Sequence, residues 1–486
     1  MVKRAEAIKS GSTAYKGVRG WLERAEEIGE LKVLEGADWN LEIGTLTALA
    51  SKGRADSPAL LFDKIKDYPA GYRVLVGFFE SLKRSAITTN LPVDISREEF
   101  IQSWRDRLAN RPLIPPVTVN SGPIMENVFE GKDIDMLKFP APFWHEQDGG
   151  RYIGTGHVII TRDPEEGWVN MGTYRTMVHN RDELAIWMSP GKHGRIHRQK
   201  HFDQGKPCPV VACFGIDPLL HMIASRPEPF GQCELDYVGG IKGEPIEVIQ
   251  GKYTGLPIPA HAEIAIEGEI LHNESKVEGP FGEWTGYYAS GERVEPVVKV
   301  KRLYHRNDPI LTGSPPFRPT GRSDQCNDLL RAAYIRDQVE KAGVPDVKEV
   351  ASYYGRFLTA ISIRQRYPGH SKQAGIVASQ CQAGAYLGRY VIVVDEDTDP
   401  LNLREVMWAV ATRSDPEEDI DILRRTWTSL VDPLAVTFDP GVVMNSRAII
   451  DACRPYEHLQ RFPPVATSSP DYLEKVREKF PWLKKE

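Results

Sequence analysis

Three histidines, His193, His197 and His201, stand four residues apart in SPGKHGRIHRQKHF, residues 189–202. On a helix that spacing places all three on one face, as a zinc site would require. Their neighbours argue against it. Lys192, Arg195, Arg198 and Lys200 repel a cation and favour an anion such as phosphate, and Pro190 with Gly191 makes a poor helix interior. The stretch reads as a basic surface or anion site. A second set is VEGPFGEWTGY, where Glu278 and Glu283 flank a Gly-Pro-Phe-Gly turn. Such a turn could bring both carboxylates into one pocket, where repulsion keeps one acid protonated. The plain alternative is a surface loop carrying two acids.

Two further groups are less specific. In WVNMGTYRTMVHN, Asn170 and Arg175 are five apart in an expected strand and so start on opposite faces unless a bulge intervenes. In DEDTDP, Asp395, Asp397 and Asp399 imitate the start of a calcium loop, but Pro400 and Val406 occupy the positions that need Gly and Glu. That segment reads as a solvated loop.

The elements that must position these groups follow from periodicity. Val18, Trp21, Leu22, Ala25 and Ile28 share a helical face that Gly29 could close, SPALLFDKI reads as a short buried strand, and YPAGYRVLVGFF adds a Pro/Gly turn and a second apolar run, giving an α/β unit. NRPLIPPVTVNSGP is a Pro- and Gly-rich junction. Beyond it, GTGHVIITRD and HAEIAIEGEI are short strands, and Ile264, Ile266 and Ile270 alternate with polar residues, which predicts one solvated face. From about residue 320 the α/β pattern returns, with a helix stopped by Gly343, a buried strand at Val391–Val394 and a helix in NLREVMWAVATR. A terminal helix begins with Ser469 as N-cap and Pro470 at N1, with Leu473, Val476 and Phe480 on one face; it docks on its own chain or on a partner. The expected divisions are 1–115, 116–315 and 316–486.

The 486 residues carry 61 Lys and Arg against 67 Asp and Glu, a net charge of −6, which speaks against a nucleic-acid binder. The basic first residues lack the apolar run of a secretory signal, and no segment is long and apolar enough for a bilayer. Six cysteines without CxxC pairs read as reduced thiols of a cytoplasmic protein.

FPAPFWHEQDGGRYIGTGHVIITRD, NMGTYR, ELDYVGGIKGEPIEV, VEGPFGEWTGYY, RYPGH and RYVIVVDEDTDPLNLREVMWAVATRSDPEED together resemble, in this order, the UbiD family of decarboxylases. WLERAEEIGEL and PALLFDKIKDYPAGYRVL look like that family's amino-terminal domain. The resemblance implies an α+β multidomain fold: an α/β N-terminal domain, a central split β-barrel like that of flavin reductases, and an α/β C-terminal domain ending in a dimerisation helix. It also implies prenylated FMN, supplied by a flavin prenyltransferase, with Mn2+ on its phosphate and K+ beside it. The family's metal ligands fall on Asn170, His193 and Glu234, so only the first of the three histidines binds metal, and His197 and His201 become surface residues.

Matching cofactor positions are Thr173, Tyr174, Arg175, Trp187, Met188, Ser189, Lys192, His193 and, more distantly, Arg389. The implied reaction is reversible non-oxidative decarboxylation of an aromatic or α,β-unsaturated carboxylic acid. The cofactor serves as electron sink, Arg175 orients the carboxylate, Glu283 gives the proton, and Glu278 completes the network. Trp284 suggests a planar aromatic substrate. The expected assembly is a homodimer or a set of dimers. The alternative is a subunit of a multi-component aromatic carboxylase using the same site. A flavin oxidoreductase and a non-catalytic cofactor carrier are more distant rivals.

Overall fold

The computed structural model describes residues 15–51, 57–226, 228–318, 325–438, 443–480 and 482. The basic first residues lie outside these, as does the side chain of Cys326; the other five cysteines are free thiols.

The helix Gly17–Glu27 forms on the face read from sequence. It buries Val18, Trp21, Leu22 and Ala25, and the Trp21 indole donates to Thr88 Oγ1 at 2.9 Å. Beside it lies a four-stranded sheet in the order Leu31–Glu35, Ala59–Asp63, Arg73–Val76, Ile310–Gly313. The last strand comes from far along the chain and pairs in parallel with Arg73–Val76.

The centre is a nine-stranded, wholly antiparallel sheet. Its spine is the long pair Ile264–Glu278 and Arg293–His305. Register shifts at Glu267/Gly268 and Ile270/Ser275 bend that pair. Such bulges raise local twist, and the sheet curls into a half-barrel. Ile264, Ile266 and Ile270 fill its interior with Val210, Ala212 and Phe214.

The opposite face of this strand is not solvated, contrary to the alternation rule. Ala265 joins a second core, shared with the amino-terminal helices and the C-terminal helix Gln325–Lys341. Glu267 is fully buried, accepting bonds from the Tyr253 and Thr254 N–H groups and the Tyr304 hydroxyl at 2.8, 2.7 and 2.6 Å. Satisfied in this way, an acid can occupy an inward position that its type alone would assign to water.

The C-terminal sheet runs Val347–Tyr353, Leu358–Ile363, Tyr390–Asp395, Met444–Ala452, Ile420–Trp427. Val391 and Val393 face the large core, while Ile392 and Val394 face the helix Leu403–Arg413, so both faces are covered. At the end of that strand the expected solvated loop is instead an ion-pair cluster. Arg413 reaches Asp395 at 3.1 Å and Asp397 at 2.9 Å, and Arg454 reaches Asp395 at 3.0 Å. The terminal helix Pro470–Lys479 is capped by Ser469, whose Oγ accepts from Tyr472 N at 3.3 Å. Tyr472, Leu473 and Phe480 on this segment remain exposed.

Candidate active site

Asn170 and Arg175 do not share a strand. The strand Val169–Gly172 ends before Arg175, and the turn to Thr176–Val178 reorients the guanidinium. Arg175 then grips both acids of the VEGPFGEW stretch. Its Nε donates to Glu278 Oε1 at 2.7 Å and its Nη2 to Glu278 Oε2 at 2.8 Å, a two-pronged contact. Its Nη1 donates to Glu283 Oε1 and, at 3.1 Å, meets Ser290 Oγ, which in turn donates to Glu283 Oε1 at 3.1 Å. The Tyr152 hydroxyl donates to Glu278 Oε1 at 2.8 Å. All of these side chains are buried or nearly so, which rejects the surface-loop alternative.

The local backbone explains the approach. Gly279 has φ of +86°, and a Cβ there would lie 2.4 Å from the Gly291 carbonyl oxygen. The Gly279–Pro280 bond is cis. The close approach of Gly279 to Gly291 turns the chain back between Glu278 and Glu283, and one arginine reaches both. The Trp187 ring centroid lies 4.5 Å from Arg175 Cζ and 4.3 Å from Arg293 Cζ. Burial pushes the Glu283 carboxyl above the usual carboxylate range, against the lowering pull of Arg175.

This cluster opens onto a cavity of about 720 Å³ where the amino-terminal part, the half-barrel and the C-terminal part meet. Thr173, Tyr174, Arg175, Trp187, Ser189, Lys192 and Glu283 line it. Trp284 also lines it, leaning on Phe357 of the C-terminal part with ring centroids 5.5 Å apart. Three of the sequence-matched cofactor positions, Met188, His193 and Arg389, do not line it. Met188 is fully buried in the half-barrel core, and Arg389 is held in a two-pronged contact with Asp432 at 2.6 and 2.7 Å; neither lines the cavity.

Asn170, Glu234 and the start of the helix that carries His193 lie around Tyr174, with the His193 ring set against Trp168 and Phe230. The Tyr174 hydroxyl lies 3.5 Å from the Asn170 amide nitrogen and accepts from Gly194 N, next to His193, at 3.1 Å. Glu234 Oε2 accepts from Met171 N, next to Asn170, at 2.7 Å. Gly194 is required for this closeness, since a Cβ there would fall 2.7 Å from the Tyr174 ring. Among the described residues no Lys or Arg pairs with Glu234, and burial raises its carboxyl to about 7. Lys192 likewise has no carboxylate partner among the described residues, and burial, with Arg356, lowers it to about 8. A buried acid without a cationic partner and a half-buried amine without a carboxylate partner are groups that a divalent cation and a phosphate, respectively, would satisfy. No group of three His, Cys, Asp or Glu side chains converges among the described residues; a three-donor set here would have to include the Asn170 amide.

The helix His193–Asp203 carries all three histidines. His197 is not a surface residue. It is fully buried, packs 4.5 Å from the Trp168 ring and contacts Thr161 Oγ1 at 3.0 Å, and burial lowers it to about 4. Sequence reasoning also missed Tyr152, Ser290, His157 and His221. Tyr152 could have been found as the inward residue of RYIG; the others carry no local signal.

Comparison with known proteins places the chain among carboxy-lyases over most of its length. Family models described as the 3-octaprenyl-4-hydroxybenzoate carboxy-lyase N-terminal, Rift-related and C-terminal domains match residues 22–104, 116–319 and 325–452. A phenolic acid decarboxylase of Bacillus subtilis is 32% identical over 452 residues, covering 91% of this chain and 93% of that protein. The vanillic acid decarboxylase of Sedimentibacter hydroxybenzoicus in its closed form superposes with a TM-score of 0.83 at 30% identity, covering 97% of this chain and 100% of the other. An evolved dimeric form of the UbiD-class enzyme HmfF from Pelotomaculum thermopropionicum, in complex with prFMN, superposes with a TM-score of 0.78 at 28% identity, covering 94% and 98%.

Proposed function

The chain belongs to the UbiD family of carboxy-lyases, and from that premise we propose that it decarboxylates an aromatic or α,β-unsaturated carboxylic acid reversibly, with prenylated FMN as cofactor. The observation that carries this reading is the buried Arg175–Glu278–Glu283 cluster at the cavity wall. When bound, prenylated FMN supplies the electron sink that loss of carbon dioxide demands and that no side chain offers.

The chain's own residues do the rest. Thr173, Tyr174, Trp187, Ser189 and Lys192 line the space the cofactor would occupy, and Lys192 would supply positive charge to its phosphate. Asn170, His193 and Glu234 would hold Mn2+, and K+ would accompany it. An oxygen-rich set with one imidazole suits manganese better than structural zinc. Glu278, which accepts from the Tyr152 hydroxyl, holds Arg175 in orientation for the incoming carboxylate. Both recorded bonds to Glu283 fall on Oε1, which leaves Oε2 to carry the proton delivered to the carbon that loses carbon dioxide. Trp284 and Trp187 offer flat walls to a planar acid. The exposed apolar residues of the terminal helix are assigned to a second copy of the chain, in a homodimer or a set of dimers, in the cytoplasm.

The test is to produce the protein together with a flavin prenyltransferase, then release and weigh its ligand and count manganese on the same sample. The loaded protein is then offered aromatic acids in D2O. Bound prenylated FMN, released carbon dioxide and deuterium at the vacated carbon are expected without any electron donor. Metal-replete, folded protein that retains no flavin refutes the reading.

A further inference from the structure

The cavity holds cationic groups beyond those assigned so far. Arg331 projects from the helix Gln325–Lys341, is 5% exposed and lines the cavity. Its Nε and Nη2 are buried without a hydrogen-bond partner, and the same two atoms of Arg226, which lines the same cavity, are also unpartnered. A guanidinium stays charged under all ordinary conditions, and burying one with its donors unmet is costly.

The charged neighbours do not remove the cost. Asp328, one turn earlier on the helix, offsets part of the charge, whereas Arg356 and Arg226 add to it. Lys192 stands with the phosphate-binding set, and Arg175, besides its bonds to Glu278 and Glu283, is assigned to the carboxylate that leaves. Neither is left to meet a further anion. The forked donors of a guanidinium match the two oxygens of a carboxylate.

Resting on the decarboxylase reading above, we propose that Arg331, assisted by Arg226, recognises a second carboxylate on the substrate, so that the preferred substrates are aromatic dicarboxylic acids. The carboxylate that leaves meets Arg175 in the half-barrel; the one that stays meets Arg331 on the C-terminal wall. The other source of the same chemistry is the cofactor's phosphate, and the experiment separates the two.

Protein loaded with FMN is titrated calorimetrically with benzoate, benzene-1,3-dicarboxylate and benzene-1,4-dicarboxylate, as wild type, Arg331→Met and Arg331→Lys. The wild type is expected to bind at least one diacid ten- to a hundredfold more tightly than benzoate, the range a charge-assisted pair supplies. Arg331→Met abolishes that preference, and Arg331→Lys keeps part of it as a single point charge. FMN content is the same in all three. Loss of FMN in Arg331→Met assigns the guanidinium to the phosphate and overturns the proposal. So does a wild type that binds benzoate as well as either diacid. If Arg331→Met does not fold, an unaltered diacid preference in Arg331→Lys overturns it. Carbon dioxide release is read separately with the prenylated cofactor. A diacid bound through Arg331 but not decarboxylated keeps the anion site and rejects the decarboxylase reading. Decarboxylation of monoacids alone, with no diacid binding, does the reverse.

Discussion

Glu283→Gln isolates proton delivery from architecture. The glutamine carbonyl can sit where Oε1 sits and accept from Arg175 Nη1 and Ser290 Oγ, while its amide group takes the place of Oε2. Arg175 keeps its two-pronged contact with Glu278, so no buried charge is orphaned. Stability is therefore expected to change by no more than about 1 kcal/mol, the scale of one net hydrogen bond. Turnover should fall roughly 10²- to 10⁴-fold, the usual contribution of a positioned general acid.

The pH profile gives a second reading. Burial raises the Glu283 carboxyl, so its protonated form persists to higher pH than an ordinary glutamate allows. Wild-type decarboxylation should decline as pH rises through that elevated value, and the residual rate of Glu283→Gln should lack this limb. The assay is carbon dioxide release by flavin-loaded protein across pH 5–9, with flavin content measured on each sample. A variant with full flavin that keeps more than about a tenth of wild-type turnover, or keeps the same alkaline limb, shows that the proton comes from elsewhere.

Three other expectations bear on the same geometry. Arg175→Met leaves Glu278 and Glu283 buried without their guanidinium, so a denaturant melt should show a loss of about 3–5 kcal/mol together with loss of turnover. Tyr152→Phe removes one donor to Glu278, and should cost about 1–3 kcal/mol in the same melt while lowering turnover less than Glu283→Gln does. Burial lowers His157 to about 3 and His221 to about 4, so each stays neutral in the folded chain while its unfolded counterpart gains a proton below about 6.5. The unfolded state then binds more protons, and thermal stability should fall as pH drops from about 6.5 toward 4; a flat midpoint across that window refutes the argument.

Sequence periodicity located the strands and helices well because most bury one face, as in Gly17–Glu27. It failed where both faces are covered. The strand carrying Ile264, Ile266 and Ile270 hides Glu267 on its second face through four bonds from partners distant in the chain or across a turn. His197 and the Asp395–Arg413 cluster failed for the same reason: a polar side chain is read as exposed unless its partner is visible, and the partners Thr161, Arg413 and Arg454 lie many residues away. Within the site, the pairing of Glu278 with Glu283 was legible from the glycines between them. Arg175 became a partner only through a turn that strand reading did not foresee. Arg331 had no signal, because a charged residue in an amphipathic helix resembles any solvated one.

The strand Ile310–Gly313 has a consequence for how the molecule comes into being. It is the outermost strand of the first sheet, hydrogen-bonded to Arg73–Val76, yet the whole half-barrel is synthesised between the two. While the chain emerges from the ribosome, the first sheet exists only as a three-stranded fragment whose Arg73–Val76 edge is unpaired. An open edge of that kind, rich in Val and Leu, invites pairing with foreign strands. Completion waits until the half-barrel can deliver Ile310–Gly313, so the first part made is among the last to be finished. A fragment ending near residue 115 should accordingly aggregate, whereas one that continues through Gly313 carries its own edge strand.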